Sequence, residues 1–316
     1  MIINRTGEIV PGLYVLGSAD VPVFLLDGDR PVLFDAGFTC LAGPYLEHAG
    51  QILARREPAC CCLTHSHFDH IGAVSRFQEQ YPDLKVCASS KVDDLMKKPS
   101  VVERISTLSR AAETAAADYG LDPADTGRPF EPFSVDRLLR AGDEISVSDD
   151  VTVQVMATPG HTRDCLSYYI PEKKILIASE ALGIPDYTGY VVTDFLVDFD
   201  TFLASMRQLE SLDIDVLCFG HTYVYTGQDC RDFIPTAIQH ARDFFSLVAV
   251  SLKEEGGDHD RVIQRLRAVE YDGKSEPKQP EPAYLMNLAA RVAVVEKRLA
   301  RMEEQPPADS SGAAGE

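Results

Sequence analysis

Short apolar runs separated by turn residues fill the first third of the chain. Leu13–Leu16, Val21–Leu26 and Pro31–Phe34 read as strands, with Asp27-Gly28-Asp29 as a hairpin turn. The spacing predicts a helix over Leu41–Arg55. The continuous apolar run Cys60–Leu63 fits a strand buried on both faces. A helix is then expected from Asp69 to Gln80 and a strand at Leu84–Ala88. Residues 90–120 carry a helical pattern, with Ser90 and Asp93 as a capping box, Pro99 dividing two helices and Gly120 as the stop. After a loop rich in Pro, Asp and Gly over 121–133, strands return at Ile145–Val147, Val151–Met156, Leu166–Ile170 and Lys174–Ala178. A helix near Asp200–Leu212 leads to the strand Val216–Phe219.

Beyond Gln228 the strand pattern stops. Three helices are expected, over Phe233–Glu255, Asp260–Val269 and Pro282–Met302. This divides the chain into an α/β domain over 1–228, with a helical insert at about 90–120, a helical C-terminal cap over 229–303 and a disordered tail over 304–316. In the cap, Phe244, Phe245, Leu247, Val248 and Leu252 fall at helical spacing. Such a stripe is ordinarily core and would otherwise line a pocket.

Composition narrows the function. A formal net charge of −19 argues against a nucleic-acid partner, which needs a basic face. No apolar run approaches the roughly 20 residues of a membrane span. The first residues show no basic-then-apolar leader, so the expected location is the cytoplasm. The eight cysteines include three in a row, Cys60, Cys61 and Cys62, and no CxxC pair. They read as reduced, buried residues, and a structural cysteine–zinc site is not expected.

The histidines carry the chemistry. Three fall within His65-x-His67-x-Asp69-His70, directly after a buried strand. His161 follows Thr158-Pro159-Gly160, and His221 follows the last strand and Gly220. Imidazole with carboxylate suits zinc, iron or manganese. An alternating His-x-His at a strand end points both rings one way, and Asp69 and His70 can turn back toward the same spot. His48, His240 and His259 stand alone and read as ordinary histidines.

Thr64-His65-Ser66-His67-Phe68-Asp69-His70-Ile71-Gly72 resembles the signature of the metallo-β-lactamase-fold superfamily. Thr158-Pro159-Gly160-His161-Thr162 and Phe219-Gly220-His221-Thr222 resemble its later ligand motifs, and Asp35-Ala36-Gly37 its early buttress. The resemblance implies an αββα sandwich with a dinuclear centre of two divalent ions, zinc or iron with manganese also suitable. His65, His67 and His161 would hold one ion; Asp69, His70 and His221 the other. The superfamily usually bridges the two with an aspartate, and here Glu180 stands in that place. A glutamate keeps the charge and adds a methylene, so bridging would require a small adjustment of backbone or metal spacing. The alternative is that Glu180 binds one metal only.

On this resemblance the activity is that of a metallohydrolase using a hydroxide held between the ions, with Asp69 orienting it and Asp35 fixing histidine rings. Tyr223 is a candidate donor to a developing oxyanion, and equally a packed aromatic. Gly17 to Leu26, Val101-Val102-Glu103-Arg104, Ala181-Leu182-Gly183 and Phe199 to Leu209, with the helical insert and cap, resemble the quinolone-signal response thioesterase-like branch; the chain departs from it at Glu180 and at Ile184, where that branch carries a glutamate. A thioester or other ester of a small molecule, acyl-CoA among them, is therefore the leading substrate. The alternatives are a non-catalytic metal-bound sensor, a phosphodiesterase and an iron-dependent oxygenase. A homodimer, if formed, would pair through the helical cap.

Overall fold

The computed structural model describes residues 1–118, 126–275 and 277–304, side chains at 115–118 excepted. The first half comprises β1 (Ile2–Ile3), β2 (Gly7–Val10), β3 (Leu13–Gly17), β4 (Pro22–Leu26), β5 (Val32–Phe34), α1 (Ala42–Leu53), β6 (Cys60–Cys62), α2 (Phe68–Ile71), α3 (Val74–Gln80), β7 (Lys85–Ser89), α4 (Ser90–Met96), α5 (Pro99–Asp118) and β8 (Arg137–Leu139). The second half comprises β9 (Glu144–Ser148), β10 (Val151–Ala157), β11 (Leu166–Ile170), β12 (Ile175–Ser179), β13 (Ile184–Pro185), β14 (Val191–Val192), α6 (Phe199–Glu210), β15 (Val216–Phe219), β16 (Val224–Thr226), α7 (Gln228–Glu254), α8 (His259–Arg267) and α9 (Glu281–Glu304).

Two seven-stranded sheets face each other, ordered β2-β3-β4-β5-β6-β7-β8 and β1-β16-β15-β12-β11-β10-β9. β5, β6, β7 and β8 run parallel, as do β12 and β15. The strands β4, β5, β6, β12 and β15 are buried at every position, which is why they read as unbroken apolar runs. Phe34, Tyr168, Val153 and Ile177 fill the space between the sheets. Helices cover both outer faces. Tyr45 of α1, Phe77 of α3, Val92 of α4 and Ile105 of α5 pack on the first sheet. Phe202 and Met206 of α6, Phe244 and Val248 of α7, Leu266 of α8 and Val292 of α9 pack on the second. The layer order is therefore αββα, and the C-terminal helices share one core with the second sheet.

Three sequence readings change. The single helix expected over Asp69–Gln80 is two, α2 and α3. Gly72 N–H donates to the Gly37 carbonyl and Ala73 N–H to that of Ala36, so these amides leave the helix to dock on the Asp35-Ala36-Gly37 loop. A Cβ at Gly72 would lie 2.6 Å from the Gly37 oxygen, so only glycine allows that approach. The cap of α4 is Ser89, whose hydroxyl accepts from Val92 N–H; Ser90 is already helical. The strands β1, β2, β8, β13, β14 and β16 are additional to those expected, because they run for only two to four residues and none is buried throughout, so they show neither a period nor an unbroken apolar run. The Phe244 stripe is core: Phe244 and Val248 are buried, and Phe245 stacks on Phe199 with ring centroids 4.4 Å apart. Gly120 and residues 305–316 lie outside the described residues.

Candidate metal centre

The loops that leave the carboxyl ends of β5, β6, β10, β12 and β15 meet at one edge of the sandwich. They bring Asp35, His65, His67, Asp69, His70, His161, Glu180 and His221 together. Three groups of ligand atoms each lie within 4.8 Å of one another: His65, His67 and His161; Asp69, His70 and His221; and His65, His70 and Glu180. Glu180 joins the first two groups. Its Oε1 is 2.9 Å from His70 Nε2 and 3.1 Å from His221 Nε2, while Oε2 is 3.6 Å from His65 Nε2.

The backbone is bent to achieve this. Ser179 ends β12 at φ 50°, a left-handed conformation costly for a side-chain-bearing residue, and the pairing with β15 slips at the same place. Ser179 Oγ donates to Glu180 Oε2 at 2.5 Å. Gly220 supplies the room: a Cβ there would sit 2.3 Å from Glu180 Oε1.

Buried partners fix the histidine tautomers. His70 Nδ1 is 2.8 Å from Asp35 Oδ2, His161 Nδ1 is 2.8 Å from the Asp194 carbonyl and His221 Nδ1 is 3.1 Å from the Asp20 carbonyl. Each Nδ1 donates there, which fixes the ring and aims Nε2 at the centre. Thr64 donates its N–H to Asp35 Oδ1 and its hydroxyl to Asp35 Oδ2, so its oxygen accepts from His65 Nδ1 at 3.0 Å. His65 therefore also presents Nε2. His67 instead presents Nδ1, which is 3.1 Å from His161 Nε2. The buried His65 Nε2 makes no hydrogen bond to protein, and His70 Nε2 meets Glu180 Oε1 as an ion pair without hydrogen-bond alignment. Buried polar atoms left unpaired in a nitrogen and carboxylate cluster are what a divalent cation would satisfy, so the residues fit a metal.

The charges balance without metal in a characteristic way. Burial, reinforced by neighbouring imidazoles, lowers His65 well below the usual histidine value and His67 to about 4. Burial also works against a charged His70, but Glu180, Asp35 and Asp69 raise it well above the usual value. For His221, hydrogen bonds to Asp69 and Glu180 likewise overcome burial and raise it to about 10. Asp69 and Glu180 are in turn held low by these imidazoles despite their burial.

Beyond the ligands, a buried chain reaches from the helical cap to His161. Arg291 of α9 is fully buried and forks onto Glu270 at 3.0 and 2.7 Å. Tyr284 and Tyr190 hydroxyls donate to the same carboxylate. Arg291 Nε lies 3.2 Å from Asp194 Oδ1, and Asn287 donates to Asp194 Oδ2 at 2.7 Å. Asp194 is the residue whose carbonyl holds His161. Asp194, Asp20 and Ser179 lie in no motif and carry no sequence signal of these roles; Thr64 is signalled only as part of one.

Tyr223 follows His221 by two residues, and its N–H donates to the His221 carbonyl at 2.8 Å. Its ring packs on Tyr187 and Tyr225, at 5.9 and 6.1 Å between centroids. His48 and His240 accept from the backbone amides of Gly17 and Val191, and His259 pairs with Glu296 on the surface.

The chain is 29% identical over 185 residues to an acyl-coenzyme A thioesterase from Gallus gallus, covering 55% of this chain and 64% of that protein. It is 26% identical over 219 residues to a probable metallo-hydrolase from Bacillus subtilis, covering 67% and 90%. It is 27% identical over 173 residues to a hydroxyacylglutathione hydrolase from Haemophilus influenzae, covering 54% and 71%. The fold matches a metallo-beta-lactamase family protein from Thermus thermophilus with a TM-score of 0.60 and 21% identity, over 94% of this chain and 95% of the other. It also matches an archaeal metallo-beta-lactamase superfamily protein from Sulfolobus tokodaii with a TM-score of 0.56 and 16% identity, over 90% and 98%. The sequence description of the metallo-beta-lactamase superfamily fits residues 18–221, and the chain belongs to that superfamily.

Proposed function

We propose that the protein is a dinuclear metallohydrolase that cleaves a thioester, an acyl-CoA among the candidates. The observation that carries the dinuclear part is the division of Glu180 between two imidazole groups, with Oε1 at His70 and His221 and Oε2 toward His65. The thioester part rests on the similarity to an acyl-coenzyme A thioesterase. On this reading His65, His67 and His161 hold one divalent ion, Asp69, His70 and His221 the other, and Glu180 spans both. When bound, two such ions lower the pKa of water and polarise an acyl carbonyl.

The chain's own groups then do the positioning. Asp69 Oδ2, 3.4 Å from His221 Nε2 and more open to solvent than Glu180, is the carboxylate placed to accept a hydrogen bond from the attacking water and orient it. Asp35, Thr64 and the carbonyls of Asp20 and Asp194 hold the rings in their ligating tautomers. The Tyr223 hydroxyl is proposed as a donor to the acyl oxygen as it gains charge.

The test is release of free thiol from a panel of acyl thioesters by the metal-loaded protein, with a phosphodiester in parallel. Thioester turnover that chelation abolishes is expected. Cleavage of the phosphodiester alone would overturn the thioester assignment. Tyr223→Phe with unchanged turnover would remove Tyr223 from the mechanism.

A further inference from the structure

A second group of metal-binding atoms lies away from the histidines, inside the sandwich. Cys60 and Cys62 point from the same face of β6, and Cys87 is the register partner of Cys62 on parallel β7. All three face the space between the sheets, among apolar residues, and are buried. Alternate side chains on one strand ordinarily diverge, since their Cα atoms stand about 6–7 Å apart. Here the Cys60 and Cys62 sulfurs have turned to within 3.8 Å, and the three sulfurs all lie within 4.8 Å of one another. With metal–sulfur bonds of about 2.3 Å, thiolates sharing one ion sit roughly 3.8–4.0 Å apart.

The sequence carries no CxxC because the grouping comes from strand adjacency, not from spacing along the chain.

We propose that Cys60, Cys62 and Cys87 form a thiolate site for one soft divalent cation of the zinc–cadmium class, separate from the histidine centre. Sulfur ligands without oxygen or nitrogen select such soft ions. The charge decides between valences. Three thiolates with a divalent ion leave one negative charge, and Arg137, the register partner of Cys87 on β8, stands beside it. A monovalent ion would leave two negative charges in an apolar interior, which is the costlier arrangement. The bound ion would clamp β6 to β7, and β6 is the strand whose end carries His65.

The experiment uses the full chain isolated from cells grown with added cadmium, so that loading occurs as the protein folds. Thiolate-to-cadmium charge transfer in the near ultraviolet and the cadmium-113 chemical shift report sulfur ligation alone, because the histidine centre contains no sulfur. One sulfur-bound cadmium per chain is expected in the unaltered protein. Cys60→Ala, Cys62→Val and Cys87→Val should each abolish the signal, while Cys61→Val, on the opposite face of β6, should keep it. The unaltered protein makes the test independent of how the variants fold. No sulfur-bound cadmium in it would mean packed thiols only and would overturn the proposal. A signal that survives all three substitutions, or that is lost equally with Cys61→Val, would also overturn it.

Discussion

Glu180 and Gly220 are fitted to each other: a Cβ on Gly220 would land 2.3 Å from Glu180 Oε1. The longer acid needs the empty place opposite it, on the loop that also presents His221. Gly220→Ala should push the carboxylate out of line with His70 and His221. Glu180→Asp should draw it back by one methylene, away from one of the two imidazole groups. Both variants should retain the fold and lose about one metal equivalent per chain, read by elemental analysis. Full metal content in both would show that Glu180 does not span the centre.

Asp35 holds the centre through two routes, directly on His70 and through Thr64 on His65. Asp35→Asn can still accept hydrogen bonds but loses the charge that stabilises the donating rings. A fall in metal affinity of about 10–100-fold is expected, the usual effect of altering a group that orients a metal ligand. Competition with a chromophoric chelator measures it.

Arg291 is paired inside the protein with Glu270 and Asp194. Arg291→Met would leave two carboxylates buried without their cation, a change that typically costs about 3–5 kcal/mol. Urea unfolding should show that loss. Because Asp194 holds His161, metal affinity should fall as well. A Glu270→Gln change, which leaves Asp194 paired, should destabilise the fold while affecting affinity less.

Stability of the metal-free protein should peak near neutral pH. His221 is raised to about 10 when folded, so its contribution is complete below its unfolded value of about 6.5 and is lost as pH rises toward 10. His70 acts in the same direction. His67 is lowered to about 4, so the unfolded chain takes up its proton first and stability falls as pH drops from about 6.5 toward 4. His65 acts with it. Melting temperatures of chelator-treated protein across pH should therefore fall on both sides of about 6.5. A divalent ion competes with protons for His70 and His221, so loading should flatten the alkaline limb and release protons.

Much of the fold was legible because buried strands and amphipathic helices leave strong periods: β3 to β7 and β10 to β12 lie within a residue or two of their expected places. The ligands were legible because His65, His67, Asp69 and His70 crowd into six positions, which no packing requirement would produce. What stayed hidden depends on tertiary proximity. Asp194 is two residues after a short strand and acts through its carbonyl, an atom every residue carries. Arg291 lies in a helix that reads as an ordinary amphipathic one, and nothing in its neighbours announces burial. The convergence of Cys87 on Cys60 and Cys62 follows from the parallel register of β6 and β7, which sequence periodicity does not encode.

On the proposed reading, five histidines, Asp69 and Glu180 form one two-metal centre. Elemental analysis of the chain purified without added metal, from cadmium-free growth and in the Cys62→Val background to remove any sulfur-bound ion, counts the ions it holds. Two divalent ions per chain, zinc or iron, are predicted. One ion per chain, both as purified and after saturation with added metal, would leave Glu180 as a ligand to a single site.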